Sequence, residues 1–205
     1  MSKNDELVLT TTRAQLEAHG AFQGYLHGTE LLDEILAGKN WGFRRRGDVE
    51  DDPSFKQLIP YCVIVQGGKI LVYERGKSGG EQKLHAKLSL GIGGHINPED
   101  SGEALSGAEQ LHRALVRELD EEVTLPAQRS IRYAGLINDD RDPVGQVHFG
   151  VVAIVDVGPG EIKPNENAIS NPQMVDETEL ETLHDRLEGW SRLVAENLGP
   201  ILKKP

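Results

Sequence analysis

Residues 88–125, LSLGIGGHINPEDSGEALSGAEQLHRALVRELDEEVTL, constrain this chain more than any other stretch: an apolar strand runs into a glycine pair and then into a helix loaded with carboxylates. On a helix turning about 100° per residue, Glu118, Glu121 and Glu122 fall within one arc of roughly 100°. Ala108, Leu115, Val116, Leu119 and Val123 fill the neighbouring arc, so one face is expected to pack while the adjoining face presents three acids. Clustered carboxylates repel one another and raise each other's pKa unless a cation lies among them. An all-oxygen donor set suits Mg²⁺ or Mn²⁺ rather than zinc or copper. Taken alone, the same acids also read as a solvated flank with an Arg117–Glu121 pair at i,i+4.

The spacing goes further. Arg117-Glu118-Leu119-Asp120-Glu121-Glu122-Val123-Thr124-Leu125 resembles the core of the Nudix box, Gly-x5-Glu-x7-Arg-Glu-U-x-Glu-Glu-x-Gly-U, where U is a bulky aliphatic residue. Glu109 stands where the box has its first glutamate. Two positions depart from the box. Glu103 replaces its first glycine, with the pair Gly93-Gly94 farther upstream, as though the loop over 97–106 carried an insertion. Thr124 replaces its second glycine, and threonine tolerates a left-handed helix end poorly. The runs GEQKLHAKLSLGIGGHIN and FKQLIPYCVIV also resemble a bacterial Nudix subgroup of predicted phosphoesterases, over residues 41–157.

The resemblance implies an α/β fold, a Nudix-like α/β/α sandwich with a mixed sheet, formed by residues 60–205 behind an N-terminal extension over 1–59. It implies a Nudix-type pyrophosphohydrolase that cleaves a diphosphate bond in a nucleoside diphosphate-X substrate. Glu118, Glu121 and Arg117 are then the catalytic residues, and the Gly93 carbonyl with Glu118, Glu121 and Glu122 holds Mg²⁺ or Mn²⁺. The general base is placed at Glu118 or at a glutamate of the later loop, Glu161 or Glu166. Glu109 forms a capping box with Ser106 if the helix reaches back that far, and joins the metal shell if it does not. Two other activities fit the superfamily. Thr124 and the lengthened loop suit a catalytically inactive nucleotide-binding sensor; isopentenyl-diphosphate isomerase chemistry needs a positioned cysteine, for which Cys62, inside the run PYCVIV, is ill suited.

At 205 residues, 38% hydrophobic and 27% charged, the chain can bury one sizeable core with appended elements. Its net charge of −11 argues against chain-wide affinity for nucleic acid or anionic membrane. The expected partner is a small phosphorylated molecule, an RNA 5′ end being the one nucleic-acid partner left open, and a homodimer is compatible. One cysteine, no signal-like N-terminus and no apolar run of about 20 residues lead to a cytoplasmic expectation. Arg44, Arg45 and Arg46 beside Trp41 and Phe43 suit a phosphate clamp, or else local pairing with Glu50, Asp51 and Asp52. Arg44, Arg46, His95 and Glu166 are thus the candidate substrate contacts.

Helices are expected over 12–19, 29–37, 177–187 and 190–198, the last stopped by Gly199-Pro200. Strands are expected over 60–66 and 69–75, joined by Gly67-Gly68, then over 83–92, 131–138 and 145–157. The segments 41–53 and 158–172 read as loops.

Overall fold

The computed structural model describes residues 2–20, 22–38, 40–75, 87–101, 106–165 and 169–203. In chain order its strands are β1 (Leu7–Thr12), β2 (Gly24–His27), β3 (Trp41–Arg45), β4 (Phe55–Gln66), β5 (Lys69–Arg75), β6 (Leu88–Ser89), β7 (Gly91–Gly93), β8 (Val123–Thr124), β9 (Arg129–Asn138), β10 (His148–Val157), β11 (Lys163–Pro164) and β12 (Ile169–Val175). The helices are α1 (Arg13–Ala18), α2 (Glu30–Ala37), α3 (Arg46–Val49), α4 (Gly107–Glu122), α5 (Pro143–Val147), α6 (Glu177–Leu183), α7 (Gly189–Glu196) and α8 (Leu198–Leu202). The chain divides into two compact units, and β4, β9, β10 and α4 each contribute residues to both.

The first unit comprises Met1–Tyr61, Gly93–Val116 and Tyr133–Val152. Helix α1 starts where expected, Thr12 accepting the N–H of Gln15 at 3.2 Å as its N-cap. Strand β1 pairs antiparallel with β3 and with β4, placing Thr10 opposite both Gly42 and Gln57. Directly paired residues share a face, and neighbours along a strand alternate. Leu9, Phe43 and Leu58 therefore face one way, into a core with Leu16, Leu31, Leu32, Ile35, Leu111, Ala114, Leu136, Phe149 and Val151. Thr10, Arg44 and Gln57 face the other way.

The second unit comprises Cys62–Ile92, Arg117–Arg132 and Ala153–Pro205. Its β4–β5 hairpin turns at Gly67 and Gly68, with φ of 59° and 81°, a left-handed pair that glycine adopts without penalty. Strand β12 lies antiparallel to β5, with a register shift between Ser170 and Gln173 and Asn171 at φ 49°. Val63, Ile64, Val65, Ala153, Ile154 and Val155 are all buried, the continuous run expected of strands covered on both faces.

Strands β4 and β10 are hydrogen-bonded neighbours. Lys56, near the start of β4, meets the Gly145 carbonyl just before β10, and Gln66, at the end of β4, meets the Gly158 carbonyl just after it. The two strands therefore run in the same direction while the hairpins are antiparallel, and the architecture is mixed α/β.

Several local expectations need correction. Ala108 is exposed, and the buried stripe of α4 is Leu111, Ala114, Leu115 and Leu119, continuing to Val123. Residues 145–147 are helical rather than extended, because Asp142 accepts the Gly145 N–H and Pro143 occupies the first turn of α5. Gly199-Pro200 does not stop the tail, since Pro200 falls in the first turn of α8, where its missing N–H has no helical partner to lose. The segments read as loops contain β3 and α3 in the first case, and β11 and the start of β12 in the second. Strand partners distant in sequence decided both.

Candidate active site

The acids at the end of α4 belong to the second unit. Arg117 Nη1 lies 2.7 Å from Glu118 Oε1 and 3.6 Å from Glu121 Oε2. The Glu118 side chain is 16% exposed and that of Glu121 54%, so the two acids divide between a half-covered face and an open flank. Burial pushes the Cys62 thiol well above its ordinary range, and the charges of Glu118 and Glu122 push it further. Burial raises the Tyr73 phenol in the same way, with Glu122 contributing. Glu118 and Glu122, one helical turn apart, thus both act on the buried thiol of β4.

The end of α4 is held from the loop after β10. Asn165 donates its backbone N–H to the Glu122 carbonyl at 2.8 Å and its Nδ2 to the Asp120 carbonyl at 3.0 Å. Thr124 donates its hydroxyl to Asn165 Oδ1 at 2.6 Å and pairs with Lys163 in the β8–β11 ladder. The helix therefore passes directly into a strand, two of its last carbonyls satisfied by the backbone N–H and the side chain of Asn165, and no left-handed residue is needed there.

A second buried network lies in the same unit. Glu188, with a side chain 5% exposed, accepts hydrogen bonds from Ser89 Oγ at 2.6 Å and Ser191 Oγ at 3.2 Å and pairs with Arg75 Nε at 3.1 Å. Ser191 Oγ accepts the Leu90 N–H, and the Tyr73 hydroxyl donates to the Gly91 carbonyl at 2.7 Å. Together these bonds fix the backbone of β6 and the start of β7.

The first unit holds the other candidates. A Cβ added to Gly93 would lie 2.7 Å from the Pro60 carbonyl oxygen, so close backbone approach demands glycine at this position. The rings of His95 and His148 are 5.9 Å apart. Arg44 donates to Thr10 Oγ1 at 2.6 Å and lies 4.4 Å from the centre of the Phe55 ring. Arg46 spans two carboxylates, Glu50 at 3.0 Å and Glu6 at 3.3 Å, and Arg45 pairs with Asp5. Of the loop glutamates, Glu161 is 72% exposed and pairs with Lys163, and Glu166 lies outside the described residues.

A family model described as the NUDIX domain matches residues 57–198. The chain belongs to the NUDIX family. Protein YmaB of Bacillus subtilis (strain 168) is 39% identical over 207 residues, a match that covers 97% of this chain and all of that one. Tm1382, assigned as a Nudix hydrolase, has a crystal structure similar at a TM-score of 0.78 and 28% identity, covering 94% of this chain and 98% of its own. The NUDIX domain of Shewanella oneidensis NrtR, solved with ADP ribose, is similar at a TM-score of 0.51 and 16% identity over 72% of this chain and 89% of that one, which shows a common fold.

As a NUDIX hydrolase of the pyrophosphohydrolase type, the chain belongs to a class that works with a divalent metal. Among the described residues no three His, Cys, Asp or Glu side chains are gathered into a cage. The donor chemistry nevertheless fits a hard dication: Glu118, Glu121 and Glu122 fall within the last two turns of α4 and offer only oxygen donors. The glutamate at the head of the NUDIX box has another task here. Glu109 Oε2 accepts the Ser106 N–H at 2.8 Å, and Ser106 Oγ accepts the Glu109 N–H at 3.3 Å, a capping box that holds the Glu109 carboxyl below its ordinary range. Cys62, buried and with its thiol pushed up, is unsuited to the protonation step of an isomerase.

Sequence reasoning missed Asn165 and Glu188. Asparagine in a Gly/Pro-rich loop gave a weak turn signal for the first. The second lies in a stretch whose patterning gives no sign of a buried acid.

Proposed function

We propose that this chain hydrolyses the diphosphate bond of a nucleoside diphosphate-X substrate, with Mg²⁺ or Mn²⁺ held by Glu118, Glu121 and Glu122. The observation that carries the reading is that Glu118 and Glu122 stand four residues apart within helix α4, with Arg117 reaching both Glu118 and Glu121. When bound, the metal neutralises phosphate oxygens and lowers the pKa of an attacking water. Arg117 orients Glu118, keeping a carboxylate that would otherwise repel its neighbours in one rotamer. Glu118, held by Arg117 and with a side chain 16% exposed, is the proposed general base, with Glu161 or Glu166 of the later loop as the alternative. Gly93, by the family resemblance, is the proposed backbone ligand.

The test is a panel of nucleoside triphosphates, dinucleoside polyphosphates, nucleotide sugars, capped RNA and inositol pyrophosphates, each with Mg²⁺ or Mn²⁺ and with products weighed by mass spectrometry. Release of a nucleoside monophosphate and a phosphorylated X is expected. Tight binding across the panel with no turnover would favour a sensor module.

A further inference from the structure

Within the second unit, the buried network around Glu188 has a cation, Arg75, at its outer edge. Tyr73 and Arg75 are alternate residues of β5 and turn to the same face, and Ser89, the direct partner of Tyr73, shares it. On that face Arg75 Nε lies 3.1 Å from Glu188 Oε2, and Ser89 and Ser191 hold the same carboxylate. The Glu188 side chain is 5% exposed and that of Arg75 23%. The carboxylate end of the pair is therefore sealed, and the guanidinium end reaches the surface.

A pair of this kind adds little stability by itself, because taking two charges out of water offsets most of their attraction. What it does is aim the cation, since a carboxylate on Nε fixes the plane of a guanidinium whose stem would otherwise swing. Two observations set that cation beside the acids of α4, which belong to the same unit. Asn165 holds the Glu122 and Asp120 carbonyls, and Ile169, four residues on, is the ladder partner of Arg75. Four residues span at most about 14 Å, so the end of β5 is tied close to the end of α4. The charges agree. Burial pushes the Tyr73 phenol up, Arg75 pulls it back, and Glu188 and Glu122 push it further, so Arg75 and Glu122 act on one hydroxyl.

The arginines that flank the acids in sequence are committed, Arg117 to Glu118 and Glu121 and Arg129 to Asp120. A diphosphate bridged by metal on three carboxylates still carries oxygens without a counter-charge, and a planar guanidinium matches them in geometry as well as sign. We propose that Arg75, aimed by Glu188, binds a phosphate oxygen of the substrate whose diphosphate is bridged by the metal on Glu118, Glu121 and Glu122. The assignment rests on the reading of α4 as the metal-holding helix and of the substrate as a diphosphate.

Titration calorimetry with methylenediphosphonate, a diphosphate that cannot be cleaved at its bridge, in saturating Mg²⁺ tests it on wild type, Arg75→Lys and the double variant Arg75→Met/Glu188→Gln. Lysine keeps a cation on Glu188 but loses the fork, and the double change removes both charges together, so neither strands a buried carboxylate and Tm is expected to hold in both. Affinity for the diphosphonate is expected to fall about tenfold or more in the double variant and by a smaller factor in Arg75→Lys. Mn²⁺ affinity without diphosphonate, read by electron paramagnetic resonance, reports on the acids alone and is expected to stay unchanged. Wild-type diphosphonate affinity in both variants overturns the proposal, as does a wild type that does not bind the diphosphonate. Mn²⁺ affinity that falls in step with diphosphonate affinity also overturns it, since Arg75 would then be a brace for the helix. Arg75→Lys carries the test should the double variant fail to fold. Binding that depends on Arg75 in a protein that hydrolyses none of the panel would keep this inference and sink the hydrolase reading, whereas turnover with binding indifferent to Arg75 would do the reverse.

Discussion

Lys56 Nζ lies 2.6 Å from Asp140 Oδ1 on a side chain with no exposed surface, and donates to the Gly145 carbonyl at 2.6 Å. Asp140 also accepts from Arg13 at 2.9 and 3.1 Å and from Gln23 at 2.7 Å. Asp140→Ala strands a buried ammonium and is expected to cost about 3–5 kcal/mol in urea denaturation. Lys56→Met is expected to cost less, because Arg13 still serves the carboxylate and no charge is left uncompensated.

The same cluster sets an acid limb. Arg13 and Lys56 hold the Asp140 carboxyl well below its ordinary range, against the opposing effect of burial. A carboxyl depressed in the fold contributes stability that is present above its unfolded pKa of about 3.9 and is lost as pH falls towards the folded value. Denaturation curves between pH 7 and pH 2 should therefore steepen below about pH 4 in wild type. They should do so less in Asp140→Asn. Lys56 does not reverse the trend: burial lowers its pKa from the ordinary lysine range, a change that acts at alkaline pH.

The end of α4 makes a contrary prediction to the family pattern. Thr124→Gly restores the box residue, yet position 124 is a strand residue whose hydroxyl bonds Asn165. The change is expected to lower stability by about 1–2 kcal/mol, through strand propensity and a lost hydrogen bond. Asn165→Ala, which uncaps the Asp120 carbonyl, should cost about 1 kcal/mol. A stabilised Thr124→Gly variant would show that the helix end differs from the one described.

Glu121→Gln and Glu122→Gln are expected to lower kcat about 100-fold or more, near 2.7 kcal/mol of transition-state stabilisation. Tm should move little, since Glu121 is 54% exposed and removing one of several like charges relieves repulsion. Full metal-dependent turnover in Glu121→Gln would remove the acids from the mechanism.

Arg44 and Arg46 should separate by readout. Arg46 has Nε, Nη1 and Nη2 on the carboxylates of Glu50 and Glu6 and is only 18% exposed. Arg46→Ala is expected to cost about 1–3 kcal/mol of stability, between the values for exposed and buried pairs. Arg44→Ala should instead raise KM for a confirmed substrate about tenfold, about 1.4 kcal/mol. An unchanged KM in Arg44→Ala would leave substrate recognition to other residues.

Local chemistry was enough for several parts of this protein. Gly67-Gly68 makes a hairpin because two adjacent left-handed residues turn a strand back on itself, and Ser106 with Glu109 starts a helix because each satisfies the other's backbone N–H. The acids of α4 share an arc because the helical repeat puts them there, whatever packs behind. Tertiary structure decided whatever needed a distant partner. The residues of β3 become a strand only because β1 lies alongside, and Arg46 turns from a clamp candidate into a brace because Glu6 arrives from forty residues away. Thr124 needs no glycine conformation because Asn165, forty-one residues on, caps the helix for it. Gln57 reads in sequence as one polar residue in a strand. Its buried, unpartnered oxygen exists only where β1, α3 and β4 close over it, because burial and pairing are properties of the surroundings and not of the residue.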